Sequence, residues 1–185
     1  LMAELQQKPR ADMQRRFDEG HRAYVAWHND ERAAFGWVAT RAATIGELGA
    51  RLELKENERY LWNFVTLPAF RGPGIYPRLV EAIVRAEADA DTFWIAYAPE
   101  NRASRAGIHK AGFRTVALMS FEHRGAAVKA MDSTISDKEV ARLTGLPLAS
   151  QNLTPCWKCV RAGRGAMSCA DGACRCDYQK PGVAC

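Results

Sequence analysis

The passage from Tyr60 to Ala88 constrains the fold more tightly than any other part of the chain. Tyr60–Leu67 (Tyr-Leu-Trp-Asn-Phe-Val-Thr-Leu) is its most continuous apolar run, the pattern of a strand buried on both faces. The glycine-rich turn Pro68-Ala69-Phe70-Arg71-Gly72-Pro73-Gly74 comes next. Beyond it, Leu79, Val80, Ile83 and Val84 share one face of a helix over Tyr76 to Ala88. Pro77 suits the first turn of that helix, where a missing N–H costs little. Thr92–Ala98 (Thr-Phe-Trp-Ile-Ala-Tyr-Ala) then reads as a second strand. Strand, helix and strand in succession favour a parallel pair joined by a right-handed crossover.

The flanks predict an antiparallel remainder. Glu4 to Glu19 is polar and rich in helix formers, so it reads as a surface helix, interrupted near Pro9 and ended by Gly20. Arg22–His28 and Ala34–Thr40 form a hairpin about the polar turn His28-Asn29-Asp30-Glu31. In Ile45–Leu54, Leu48, Leu52 and Leu54 alternate with Glu47, Arg51 and Glu53, which predicts a strand with one wet face. Asn101–Lys110 reads as a short helix stopped by Gly112, and Phe113–Glu122 as a last strand. The expected fold class is α/β of the α+β kind, a mixed, mostly antiparallel sheet with a central parallel pair and flanking helices. After His123 the texture changes. Asp137–Leu143 predicts a short helix with Ser136 as cap and Gly145 as stop, and from Thr154 on Gly, Ala, Arg and Cys dominate. The expected organisation is one domain over residues 1–125, a linker with a short helix over 126–155, and a cysteine-rich tail over 156–185.

Hydrophobic residues make up 48% of the chain, enough for an ordinary core. There is no run of about 18 apolar residues, so no membrane partner is expected. Leu1–Arg16 lacks the apolar stretch of a secretory signal, and a cytoplasmic location is the expectation. The net charge of +5 fits an anionic ligand. The basic residues are scattered rather than blocked, which argues against nucleic acid.

A strand that ends in a glycine-rich turn and opens a helix makes an anion site. The first helical N–H groups have no internal acceptor, and the helix dipole is positive there. Gly72 and Gly74 let the backbone approach a ligand with no Cβ in the way, and Arg71 adds a charge that can fork onto phosphate. The nucleoside triphosphate loop would need Gly-Lys-Ser or Gly-Lys-Thr, which is absent. A dinucleotide loop wants a third glycine, and Pro77 stands where the turn-packing residue belongs. A helix entry turn with no ligand is the remaining alternative on spacing alone.

The stretch Val65-Thr66-Leu67-Pro68-Ala69-Phe70-Arg71-Gly72-Pro73-Gly74-Ile75-Tyr76 resembles the coenzyme A pyrophosphate loop of the GNAT N-acetyltransferases. Arg71 and Gly74 match the first and fourth positions of that loop, and Tyr76 departs at the sixth, where a small residue is usual. Asn101-Arg102-Ala103-Ser104 followed by Lys110-Ala111-Gly112-Phe113 resembles the family's later motif, in the family's order and separation. The resemblance covers roughly Ala11 to Glu122 and does not reach the tail.

It implies an enzyme, an acyltransferase that moves an acetyl group from acetyl-CoA to a primary amine by direct attack on the thioester. Backbone groups of Phe64, Val65 and Thr66 would pair with the pantetheine arm. Gly72, Gly74, Ile75 and Tyr76 would offer N–H groups to the diphosphate beside Arg71, and Pro73 would contribute only shape. Asn101 and Ser104 would contact the coenzyme further along. Many members carry a tyrosine acid seven residues after the asparagine, where this chain has Ile108. Tyr97 and His109 are the nearby candidates for that role, and Tyr97 is chosen. Some members place a glutamate base near the position of Tyr60; Glu47 and Glu53 are the alternatives here, and Glu47 is chosen. The amine would be a small molecule or a peptide. The family also opens with a strand and helix ahead of Glu4–Glu19, for which this chain has no residues. A fragment, a shortened member and completion by a partner subunit all fit, and a homo-oligomer stays open.

All six cysteines fall at or after Cys156, spaced Cys156, Cys159, Cys169, Cys174, Cys176, Cys185. The two-residue gap of the first pair suits one tetrahedral zinc, but no second such pair exists, so the metal ligands stay unknown. Zinc, disulfides and a reduced tail are the three readings. The rival to an enzyme is a catalytically impaired acyl-CoA-binding or regulatory module with a metal-binding cysteine-rich tail.

Overall fold

The computed structural model describes residues 1–122, 125–150, 153 and 157. The chain packs as two compact units. The first comprises Leu1–Ala43, Leu54–Ala96 and Ser104–Phe113, and the second Thr44–Glu53, Tyr97–Ala103 and the chain from Arg114.

The first unit is built on a four-stranded sheet of order β1-β2-β5-β6, with β1 Arg22–His28, β2 Glu31–Ala39, β5 Glu58–Thr66 and β6 Thr92–Ile95. The β1–β2 and β2–β5 pairs are antiparallel and β5–β6 is parallel, so the expected mixed sheet is present. The hairpin turn uses Asn29 and Asp30 at φ 49° and 61°, a left-handed conformation these two residue types tolerate. β5 connects to β6 through α3 (Ile75–Ala86), whose Leu79, Val80 and Ile83 pack with Ala34, Val38 and Leu61 of the sheet. α4 (Arg102–Lys110) brings Ala111 and Phe113, just beyond its end, against the same cluster.

α1 (Met2–Gln6) and α2 (Arg10–Asp18) flank Pro9, the predicted interruption. Met2 and Met13 bury against Phe35 and Trp37. α2 ends as its glycine implies: at Gly20 (φ 85°) the His21 and Gly20 amides donate to the Arg16 and Phe17 carbonyls. His21 is thereby carried into the core, 7% exposed, where Trp62 Nε1 donates to its Nδ1 at 3.1 Å. Burial holds its pKa below 6.5; Glu19 opposes this and Arg16 reinforces it. The unfolded chain therefore takes up a proton at higher pH than the folded one. Stability from this site is full above about pH 6.5 and declines as pH falls through 6.5 toward the depressed value. His21→Asn keeps an acceptor for Trp62 and cannot titrate. Its thermal midpoint should fall less than the wild type's between about pH 7 and pH 5. Equal slopes in calorimetry would remove His21 from the acid response.

In the second unit Ile45–Leu54 is not one strand. β3 (Ala42–Ile45) and β4 (Ala50–Glu53) form a hairpin, and residues 46–49 turn between them with Gly49 at φ 63°. Leu48 is buried from the turn, so the leucine spacing survives although the strand does not. β7 begins only at Ala117, and it pairs antiparallel with β8 (Gly125–Ala130), an element the sequence did not signal. α5 (Asp137–Thr144) has the predicted ends: Ser136 Oγ accepts from the Glu139 amide at 3.2 Å and Gly145 closes it at φ 64°. α5 packs on β4 and β8. Trp157 is buried, its Nε1 donating to the Met119 carbonyl at 2.7 Å. The six cysteines lie outside the described residues.

Candidate functional site

β5 carries the site because of what happens at Asn63. Phe35 pairs Val65 and Trp37 pairs Trp62, so Asn63 and Phe64 together face Gly36 alone. This is a β-bulge, with Asn63 at φ 51°. Gly36 is required there: a Cβ would overlap the Phe64 ring. Bulges add twist, and β5 parts from its parallel neighbour at this point. The last β5–β6 pair is Leu61 with Ile95, and Phe64, Val65 and Thr66 run on with no partner on that side among the described residues.

The chain then passes through a 3-10 turn, Pro68–Phe70, into the glycine segment. Gly72 takes φ 108° and Gly74 φ 77°, and a Cβ on either would meet nothing within 4 Å. α3 starts at Ile75 with no side-chain cap. Among the described residues the amides of Gly72, Gly74, Ile75 and Tyr76 donate to no protein acceptor. Four exposed or half-buried amides without a cap are the donors that the first turn of a helix leaves over. Arg71 is tied down beside them, its Nε donating to the Thr66 carbonyl at 3.2 Å. The geometry is a run of N–H dipoles at the positive end of a helix, with the Arg71 guanidinium beside it, an arrangement suited to an anion.

A model of the GNAT acetyltransferase domain matches residues 2–114, more than half of the chain. The chain belongs to the GNAT acetyltransferase family. It is an acyltransferase by that membership. No curated protein matches it in sequence. Solved structures of similar trace include AAC(6')-Iy in complex with a bisubstrate analogue, CoA-S-monomethyl-acetylneamine, at 18% identity and TM-score 0.48, covering 61% of this chain and 76% of that one. AAC(6')-Ib with coenzyme A and kanamycin has 19% identity and TM-score 0.48, covering 65% and 76%. A predicted acetyltransferase of Clostridium acetobutylicum with acetyl-CoA has 18% identity and TM-score 0.40, covering 57% and 66%.

Phe64, Val65, Thr66, Arg71, Gly72, Gly74, Ile75, Tyr76 and Ser104 all belong to the first unit, and Glu47, Tyr97 and Asn101 to the second. Glu47 sits in the exposed turn between β3 and β4, which corrects the expectation that it stands on the polar face of a strand. Tyr97 lies beyond the end of β6, which stops at Ile95 rather than running to Ala98. Its hydroxyl shares a 2.7 Å hydrogen bond with Thr115 Oγ1. Asn101 immediately precedes α4 and its amide donates to the Ala98 carbonyl at 2.7 Å. Ile108, which replaces the family's usual acid, is 2% exposed on α4, and His109 beside it faces solvent.

Sequence reasoning did not anticipate the polar cluster around Glu87, the C-cap residue of α3. Its fully buried carboxylate accepts from Arg22 Nη1 at 2.6 Å, Tyr24 OH at 2.5 Å and Arg59 Nε at 2.9 Å. Burial and the bond to Glu87 push the Tyr24 hydroxyl up to about 12. Arg22, Tyr24 and Arg59 lie on β1 and β5, far from Glu87 in sequence. Only the parity of Arg22 and Tyr24 on one face of a strand hinted that they act together. Among the described residues no group of three or more His, Cys, Asp or Glu is placed to hold a metal, and the cysteine tail, for which zinc was one of three readings, falls outside them. No described helix is long and apolar enough to cross a membrane.

Proposed function

We propose that the protein transfers an acetyl group from acetyl-CoA to a primary amine, with the coenzyme's diphosphate held at Gly72, Gly74, Ile75 and Tyr76. The carrying observation is the set of four amides, in the turn and at the start of α3, that have no protein acceptor among the described residues. Their chemistry fits a diphosphate, since each N–H can meet a separate oxygen while Arg71 neutralises charge at the rim. The coenzyme supplies the acyl thioester. The chain supplies orientation: the β5 edge at Phe64, Val65 and Thr66 offers backbone donors and acceptors to the arm, and Asn101 and Ser104 offer polar side chains. Oriented donors also polarise the thioester carbonyl. Glu47 is our candidate for the base that takes the amine proton, and Tyr97, oriented by Thr115, for the group that protonates the leaving thiolate.

Thiol release from acetyl-CoA over a panel of polyamines, aminoglycosides, amino acids and peptides tests this directly on the full chain. Amine-dependent release is expected, and Glu47→Gln should lower it by about 10²–10⁴-fold. Full turnover of that variant across pH would remove Glu47 from the role. A second reading, a coenzyme-binding module without turnover, is favoured by the burial of Ile108 where an acid is usual. Coenzyme binding in calorimetry with no release toward any amine would select it.

A further inference from the structure

Asn63 takes a conformation that glycine usually supplies. It is the first of the two residues bulged opposite Gly36, and its φ is 51°. A left-handed first residue is the form of bulge that favours glycine; in the other common form that residue is right-handed. The core decides that a bulge is present. A regular strand puts residues 62 and 64 on one face, yet Trp62 packs with Phe35 and Trp37 while Phe64 packs with Val38 and Leu61. The core does not decide between the two forms. They differ in the signs of φ and ψ at Asn63, and so in the orientation of the peptide that leads into Phe64. A side-chain tether bears on that choice. Asn63 Nδ2 donates to Gln6 Oε1 of α1 at 2.9 Å. The same oxygen accepts from Arg16 Nη1 at 3.0 Å, and Gln6 Nε2 donates to Met13 Sδ at 3.2 Å. These contacts turn the Gln6 oxygen toward Asn63. Arg16 is itself held over the rings of Trp62 and Trp37, 4.6 and 4.9 Å from their centroids. All of these residues belong to the first unit.

We propose that Gln6 is a positioning residue for coenzyme binding: by holding the Asn63 side chain it keeps the bulge in its left-handed form and fixes the peptide that leads into the open stretch Phe64–Thr66. The proposal rests on the coenzyme reading of that stretch. Asparagine tolerates the left-handed region better than most residues with a side chain, but only glycine enters it without cost. Loss of the tether lets Asn63 take the right-handed form. A coenzyme arm must then draw on the fraction of molecules that keep the left-handed one, and apparent affinity falls with that fraction. One side-chain hydrogen bond shifts such a balance by about two- to tenfold.

Calorimetry of coenzyme A with the full chain tests this on wild type, Gln6→Met, Gln6→Glu, and Gln6→Met combined with Asn63→Gly, each well below its own thermal midpoint. Methionine keeps the length and helix preference of glutamine and removes the acceptor. Glutamate keeps an acceptor for Asn63 and Arg16. Gln6→Met is expected to bind about two- to tenfold more weakly than wild type, and Gln6→Glu within about twofold of it. Adding Asn63→Gly to Gln6→Met should restore affinity to within about twofold of wild type, because glycine takes the left-handed form unaided. A loss that persists in the double variant means that Gln6 serves packing alone and overturns the proposal. Gln6→Met that binds as wild type does overturns it too. Either result leaves the coenzyme reading standing. No binding by wild type overturns the coenzyme reading and the positioning role with it.

Discussion

Replacing Glu87 with alanine is expected to cost the fold about 3–5 kcal/mol, the usual consequence of breaking a buried ion pair from one side. The carboxylate is 0% exposed and accepts from two guanidinium groups and a phenol. Asp89, exposed, also pairs with Arg59 at 2.5 Å, and two carbonyls, those of Glu56 and Glu58, accept from its Nη1. Those partners hold Arg59 in place when Glu87 is removed but do not neutralise its inner edge. In a chain of this size about 3–5 kcal/mol corresponds to a midpoint lowered by roughly 6–20 °C. Glu87→Gln keeps the shape and one acceptor, so it should cost less. It should also let the Tyr24 hydroxyl, pushed up to about 12 beside Glu87, titrate nearer its ordinary value of 10.0. A Glu87→Ala midpoint within about 2 °C of wild type would mean that water satisfies the cluster and that it does not hold β1, β5 and α3 together.

That cluster marks the limit of what the sequence discloses. The face of α3 was legible because Leu79, Val80 and Ile83 recur at helical spacing, and the ends of α5 because Ser136 and Gly145 act on their immediate neighbours. Glu87 reads as another acid at a helix end, and its partners Arg22, Tyr24 and Arg59 are remote in the chain. Only the register of β1, β2 and β5 brings them to it. The leucine alternation in Ile45–Leu54 misled for a local reason: a buried residue in a tight turn keeps the parity of a strand, and Gly46 and Gly49 were the contrary signal. β8 has little alternation of its own. It is held by β7 on one side, and by bonds from Val128 to the Pro147 carbonyl and from Ala149 to the Val128 carbonyl. In the candidate site the glycine turn and the helix start beyond it were legible from Gly72, Pro73 and Gly74. The position of Tyr76 was visible as a departure, but the close approach of its ring to Gly107 required the packing of α4.

Gly74→Glu is expected to weaken coenzyme A binding by at least about a hundredfold, roughly 2.7 kcal/mol, while leaving the protein folded. Two effects on stability oppose each other. Gly74 sits at φ 77°, where an L side chain costs about 1–2 kcal/mol. A carboxylate at the start of α3 recovers about 0.3–1 kcal/mol from the helix dipole. The net loss is modest, and nothing lies within 4 Å of the new Cβ to create a clash. The effect on binding has no such offset. The carboxylate both repels a diphosphate and can accept from the amides of Ile75 and Tyr76 that would otherwise hold it. Gly74→Ala separates the causes, because it carries the backbone strain without the charge, and it should bind within about tenfold of wild type by the same affinity scale. Calorimetry that gives Gly74→Glu an unchanged affinity would place the diphosphate elsewhere, and the functional reading of this turn would fail with it.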